Sequence, residues 1–116
     1  MSNETTAPRF TIETVRSDNV AVVRCHGKLV AGVGDVLYDG VRRLFPDTKR
    51  IVLDLTDLTH MDSMGLGTLV RVYVSARSAG CALELVNLGP RIRQLLGMTK
   101  LLSAFTVIGE NNVIIP

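Results

Sequence analysis

The chain reads as a single α/β domain with a mixed, mostly parallel sheet of about five strands, three main helices and one short extra helical turn. Three observations predict it. Runs rich in β-branched residues alternate with stretches whose apolar residues recur at three and four positions. The run Ile51-Val52-Leu53 is apolar without alternation, the pattern of a strand in the middle of a sheet with both faces covered. Turn residues, not a helix, join the first two strand-like runs. Later in the chain, a strand, a helix and another strand in succession imply right-handed crossovers between parallel neighbours.

Arg9 to Arg16 and Val20 to His26 read as strands, and Ser17-Asp18-Asn19 between them carries turn chemistry, so an antiparallel hairpin is expected. The stretch from Gly27 to Gly32 then breaks the second strand. Gly34 to Phe45 places Val33, Leu37, Val41, Leu44 and Phe45 at helical spacing, and Pro46 ends that helix. Lys49 to Asp54 is the central strand, and Thr56 to Met61 reads as the loop after it. The next helix runs to Ala79, with Leu66, Leu69, Val70, Tyr73 and Val74 as its apolar positions and Gly80 as its stop signal. Cys81 to Leu88 is a strand. Pro90 opens a third helix, with Ile92, Leu95 and Leu96 inward and Gly97 closing it. Leu101 and Leu102 form the short extra turn, Phe105 to Ile108 a last strand, and Val113-Ile114-Ile115 a strand-like end that adds an edge to its own sheet or to a neighbour's. Residues 1–8 read as a flexible N-terminus and 9–116 as the domain.

At 116 residues the chain is long enough to bury roughly two thirds of its unfolded surface and to fold without staples. Hydrophobic residues make up 47% and charged residues 21%, which excludes a disordered chain. No apolar run approaches the roughly 18 residues of a membrane span. The start Met1-Ser2-Asn3-Glu4-Thr5-Thr6 lacks the regions of a signal peptide, so a cytoplasmic location is expected. The net charge is +2, and the basic residues are dispersed, unlike the stripe of a nucleic-acid binder. Cys25 and Cys81 lie far apart without metal-ligand spacing and read as buried thiols.

One stretch stands out: His60-Met61-Asp62-Ser63-Met64-Gly65-Leu66-Gly67-Thr68-Leu69, a strand-to-helix junction. The first N–H groups of a helix have no partner inside it, so a side-chain oxygen is favoured there, and Asp62 and Ser63 are both good caps. Gly65 and Gly67 each cost about 1 kcal/mol relative to alanine inside a helix. Close approach of another surface explains such residues, either the chain's own strand ends or a partner.

Asp62-Ser63-Met64-Gly65-Leu66-Gly67 after the strand Ile51-Val52-Leu53-Asp54-Leu55 resembles the signature of STAS domains, the fold shared by sulphate-transporter tails and bacterial anti-sigma factor antagonists. In the antagonists the pattern is Asp-Ser-Ser/Thr-Gly-Leu/Ile-Gly, and its second hydroxyl is phosphorylated by a serine kinase that is also the anti-sigma factor. The resemblance covers most of the chain and implies a single STAS-like domain that binds an anti-sigma factor with a histidine-kinase-like ATPase domain. It implies no enzymatic activity, no cofactor and no metal, and it leaves open a monomer or a weak dimer. The partner face would comprise Lys28, in a segment like the family's Gly-x-Leu, together with Asp62, Ser63, Met64, Gly65, Gly67, Thr68 and Arg71. Met64 occupies the usual phosphoacceptor place, and a thioether accepts no phosphoryl group. Either the switch is lost or Ser63, whose hydroxyl otherwise caps the helix, substitutes as acceptor.

Two other readings stand beside it. The same fold serves as the STAS subunit of a membrane transporter. A magnesium-dependent phosphotransfer site on Asp54, Asp57 and Asp62, clustered after the central strand, is the weaker of the two. A dinucleotide fingerprint fails because Val70 stands where its third glycine belongs. Neither His26 nor His60 has a sequence-local carboxylate or cysteine partner that suggests a catalytic constellation, so both read as ordinary strand-end or loop histidines.

Overall fold

The computed structural model describes residues 9–98, 106–108 and 114–115. Strands β1 (Phe10–Ser17) and β2 (Val20–Leu29) form the expected antiparallel hairpin, with Asp18 at φ 53° in the turn. Aspartate tolerates this left-handed conformation better than most residues. The second strand does not break at Gly27. It kinks through register shifts on either side of His26 and Gly27 and continues to Leu29. Gly27 makes the kink possible: its φ is +101°, and a Cβ there would overlap the Arg9 carbonyl oxygen.

Helix α1 (Gly34–Arg42) stops earlier than expected and hands over to a 3₁₀ turn (Phe45–Asp47) that holds Pro46. A proline is tolerated there because the first turn has no use for its missing N–H. The third strand, β3 (Arg50–Met61), is much longer than Lys49 to Asp54. What read as a loop is strand, with His26, Gly27, Lys28 and Leu29 paired to Asp57, Leu58, His60 and Met61. Helix α2 (Ser63–Ser78), β4 (Ala82–Val86), α3 (Pro90–Met98), β5 (Thr106–Ile108) and β6 (Ile114–Ile115) follow. Gly97 falls inside α3 instead of closing it. The expected Leu101–Leu102 turn and the flexible 1–8 segment lie outside the described residues.

The sheet is mixed and mostly parallel, and its spatial order is the chain order, β1 to β6. Only the outermost pairs, β1 with β2 and β5 with β6, run antiparallel. The tail adds its edge to its own sheet.

One apolar cluster joins Ala21, Val23 and Cys25 of β2, Ile51, Leu53 and Leu55 of β3, and Leu83 and Leu85 of β4 to the helices through Leu37, Val41, Leu69, Val72 and Ile92. The helices therefore cover one face. The expectation that β3 is covered on both sides holds on this side only. Its other face carries Arg50, Val52 and Asp54, with Arg50 bonded to Glu84 at 2.9 Å and Arg24 facing Asp54 at 3.9 Å. Val52 is buried there, but the alternation with charged residues marks a face turned to solvent.

Helix α2 is seated differently from its sequence pattern. Gly65, Thr68, Leu69, Val72 and Ala76 face the core, while Val74 is 55% exposed. Apolar residues lie on several sides of this helix, and small ones, Gly65 and Ala76, mark the side that packs closest. Of the expected apolar positions Leu69 is buried and Leu66 and Tyr73 pack against the core, while Val74 is exposed.

Candidate functional site

The long β3 delivers the chain to α2 at the rim of the sheet, beside the end of β2. Asp62 is extended (φ −104°, ψ −174°) and caps the helix. Its Oδ1 accepts the Gly65 N–H at 2.8 Å and its Oδ2 accepts the Ala31 N–H at 3.0 Å. One carboxylate thus clips the β2–α1 loop to the start of α2. These amides, Gly65 first and Ala31 second, hold the Asp62 carboxyl below the usual carboxylate range. Ser63 does not cap. It is the first residue of the helix, exposed, and its hydroxyl makes no hydrogen bond among the described residues.

The two glycines have different reasons. A Cβ on Gly65 would overlap the Leu29 carbonyl oxygen, so the first turn of α2 lies directly on the end of β2. At Gly67 a Cβ would meet nothing within 4 Å. Internal packing accounts for the first and leaves the second unexplained.

Helices α1 and α2 lie side by side. Gly34 packs against Thr68, and the Tyr38 hydroxyl meets the Ser75 hydroxyl at 3.1 Å. Thr68 is buried and donates to the Met64 carbonyl at 3.1 Å. Arg71 stacks over the Tyr38 ring at 4.1 Å, with Asp35 3.9 Å away. Between these parts lies a depression of about 190 Å³ lined by the 30–32 loop, Gly34, Asp35, Met64, Thr68 and Arg71. Met64 is 64% exposed at its edge.

Of the residues named from sequence, Met64, Thr68 and Arg71 line this depression, Asp62 ties its two sides together, Gly65 lies beneath the helix start, and Ser63 and Gly67 face solvent. Lys28 is also exposed but belongs to the kinked end of β2, opposite His60, and is not part of the lining. Asp35 and Tyr38 were missed. Asp35 reads as part of the polar side of α1, Tyr38 carries no signal of its own, and only the crossover topology, which sets α1 against α2, signals their place.

The remaining candidates do not gather here. Asp54 accepts from the Thr56 N–H at 3.0 Å and from the Asn87 amide at 3.2 Å. Burial pushes its carboxyl up, but the Thr56 hydroxyl and amide, Asn87 and Arg24 outweigh it and hold the carboxyl low. Asp57 faces His26 Nδ1 at 3.1 Å, and Glu13 faces Nε2 at 2.8 Å. His26 therefore has carboxylate partners, brought by strand pairing from distant parts of the chain. Asp54, Asp57 and Asp62 are thus committed to three different places and do not converge on a shared ion. Cys25 and Cys81 are buried; burial, with Asp54 second, pushes the Cys25 thiol up to about 12.

Among the described residues, no helix is long and apolar enough to cross a membrane. A relative from Pseudomonas aeruginosa described as a STAS-domain containing protein is 25% identical over 85 residues, 73% of this chain and 84% of that protein. The crystal structure of an anti-sigma factor antagonist from Mycobacterium paratuberculosis superposes with a TM-score of 0.75 at 24% identity, covering 89% of each chain. A sulfate transporter family protein from Wolinella succinogenes gives a TM-score of 0.71 at 20% identity, over 86% of this chain and 85% of that one. These likenesses show a shared fold. The family model described as STAS domain matches residues 11–112, nearly the whole of the sheet and its helices, and the chain belongs to the STAS domain family.

Proposed function

We propose that this protein is an anti-sigma factor antagonist, a regulatory binding protein without chemistry of its own, which docks on an anti-sigma factor of the serine-kinase type. The docking surface is the start of α2 and the depression beside it: Asp62, Ser63, Met64, Gly67, Thr68 and Arg71, over Gly65, with Lys28 at its margin. The observation that carries the reading is Met64, 64% exposed at the edge of that depression on a helix start clipped in place by Asp62. A flexible thioether suits a contact that adapts to its partner.

Phosphorylation of a hydroxyl at this point would install about −1.5 to −2 charge where a partner surface must close, and so break the complex. Met64 cannot carry that charge. Thr68 is buried, which leaves Ser63 as the accessible hydroxyl of the helix start. Ser63 stands one place before the acceptor position that Met64 fills, so the main reading is a complex that persists in the presence of ATP, and a switch moved to Ser63 is its alternative. The test is to incubate the protein with the anti-sigma kinase of its own organism and ATP, then measure the complex and the intact mass. A stable complex with no added phosphate is the expected outcome. A phosphate mapped to Ser63, with release of the partner, would move the switch to that residue, and no complex at all would end the reading.

A second reading, a STAS subunit of a membrane transporter, is supported by the likeness to the Wolinella succinogenes sulfate transporter family protein. Co-purification with permease subunits instead of a kinase would favour it.

A further inference from the structure

The outward side of α2 carries a stripe that starts within the proposed docking surface and runs beyond it to Val74. Met64, Gly67, Arg71 and Val74 follow one another at spacings of three, four and three, so they share one face of the helix, opposite Leu69, Val72 and Ala76. Met64 and Val74 are 64% and 55% exposed. The stripe has the same kinds of residue whichever way it is read at its ends, a bulky apolar side chain, with a bare glycine and an arginine between them. Arg71 is held flat by Tyr38, and its guanidinium makes no hydrogen bond among the described residues, only a loose pairing with Asp35 at 3.9 Å.

We infer that this stripe is where two copies of the chain meet, with their α2 helices antiparallel across a two-fold axis. A two-fold contact requires a surface complementary to itself. Turning the stripe on itself sets Met64 of one copy against Val74 of the other and lays Arg71 across Gly67, where the missing side chain leaves room. Charge matches as well. Gly34 packs on Thr68, next to Gly67, so the neighbouring Asp35, whose side chain is 85% exposed, stands where the incoming Arg71 of the second copy arrives. Two intermolecular Arg71–Asp35 pairs then replace two loose internal ones. Opposed helix directions also align the peptide dipoles favourably. The contact is small, which makes the dimer weak. The same face borders the depression, so, on the docking reading above, the dimer covers Met64 and excludes the kinase.

Sedimentation velocity of the purified protein from micromolar to millimolar concentration tests this without any partner, so its failure leaves the docking reading standing. A concentration-dependent monomer–dimer equilibrium is expected. Val74→Asp weakens it by about tenfold or more. Val15→Asp, on the sheet face, leaves it unchanged. Arg71→Asp weakens it and the double variant Arg71→Asp with Asp35→Arg restores it, with circular dichroism confirming that each variant is folded. A protein monomeric at every concentration, or Val74→Asp and Arg71→Asp variants that dimerise like the parent, overturns the inference.

Discussion

Gly65 and Gly67 sit two residues apart in the same helix and are expected to respond to alanine with opposite signs. Alanine is the better helix former by about 1 kcal/mol at either place. At Gly65 the added methyl has to displace the Leu29 carbonyl, which is backbone and anchored in β2, so overpacking of about 1–3 kcal/mol prevails and the variant is destabilised. At Gly67 nothing stands in the way, and the variant gains about 0.5–1 kcal/mol. Urea denaturation of both variants measures the pair. Sequence alone shows two costly glycines and no way to tell them apart, because the difference lies in a carbonyl more than thirty positions earlier in the chain. Ser63 and Asp62 were ambiguous for a similar reason. Both are good caps by chemistry, and only the second acceptor contact, from Ala31, selects the aspartate.

The elements were legible in kind and order but not at their ends. Thr56, Asp57, Thr59 and His60 look like loop residues because that half of β3 pairs with β2 alone, while β4 covers only Arg50 to Asp54. An overhang with one neighbour has a solvent side, and its composition says so. The junction built there joins β3, the β2–α1 loop and α2 through one carboxylate, and its strength follows pH. The Asp62 carboxyl is held below its ordinary value, as is that of Asp54, so their contributions are present above the unfolded value of about 4 and are lost as pH falls through the folded ones. Stability measured by denaturation from neutral to acid pH should decline below about 4, and Asp62→Asn should flatten the decline because the amide does not titrate.

Across the whole molecule the thiols report cooperativity. Cys25 lies under the helices in β2, and Cys81, just before β4, gives its S–H to the Thr48 carbonyl at 2.8 Å. Burial raises both thiols. At mildly alkaline pH a thiol reagent should therefore modify neither in the native protein and should label both at one common rate, that of global opening; separate rates would mean that the sheet opens in parts. The fold class itself was readable because the alternation of strand and helix admits few arrangements, and crossover handedness removes most of those. That same arrangement has a consequence for biosynthesis. Since every strand's neighbour in space is also its neighbour along the chain, a polypeptide leaving the ribosome can lay each new rib on the finished edge of a widening fan, and no later segment has to be threaded between two that have already met.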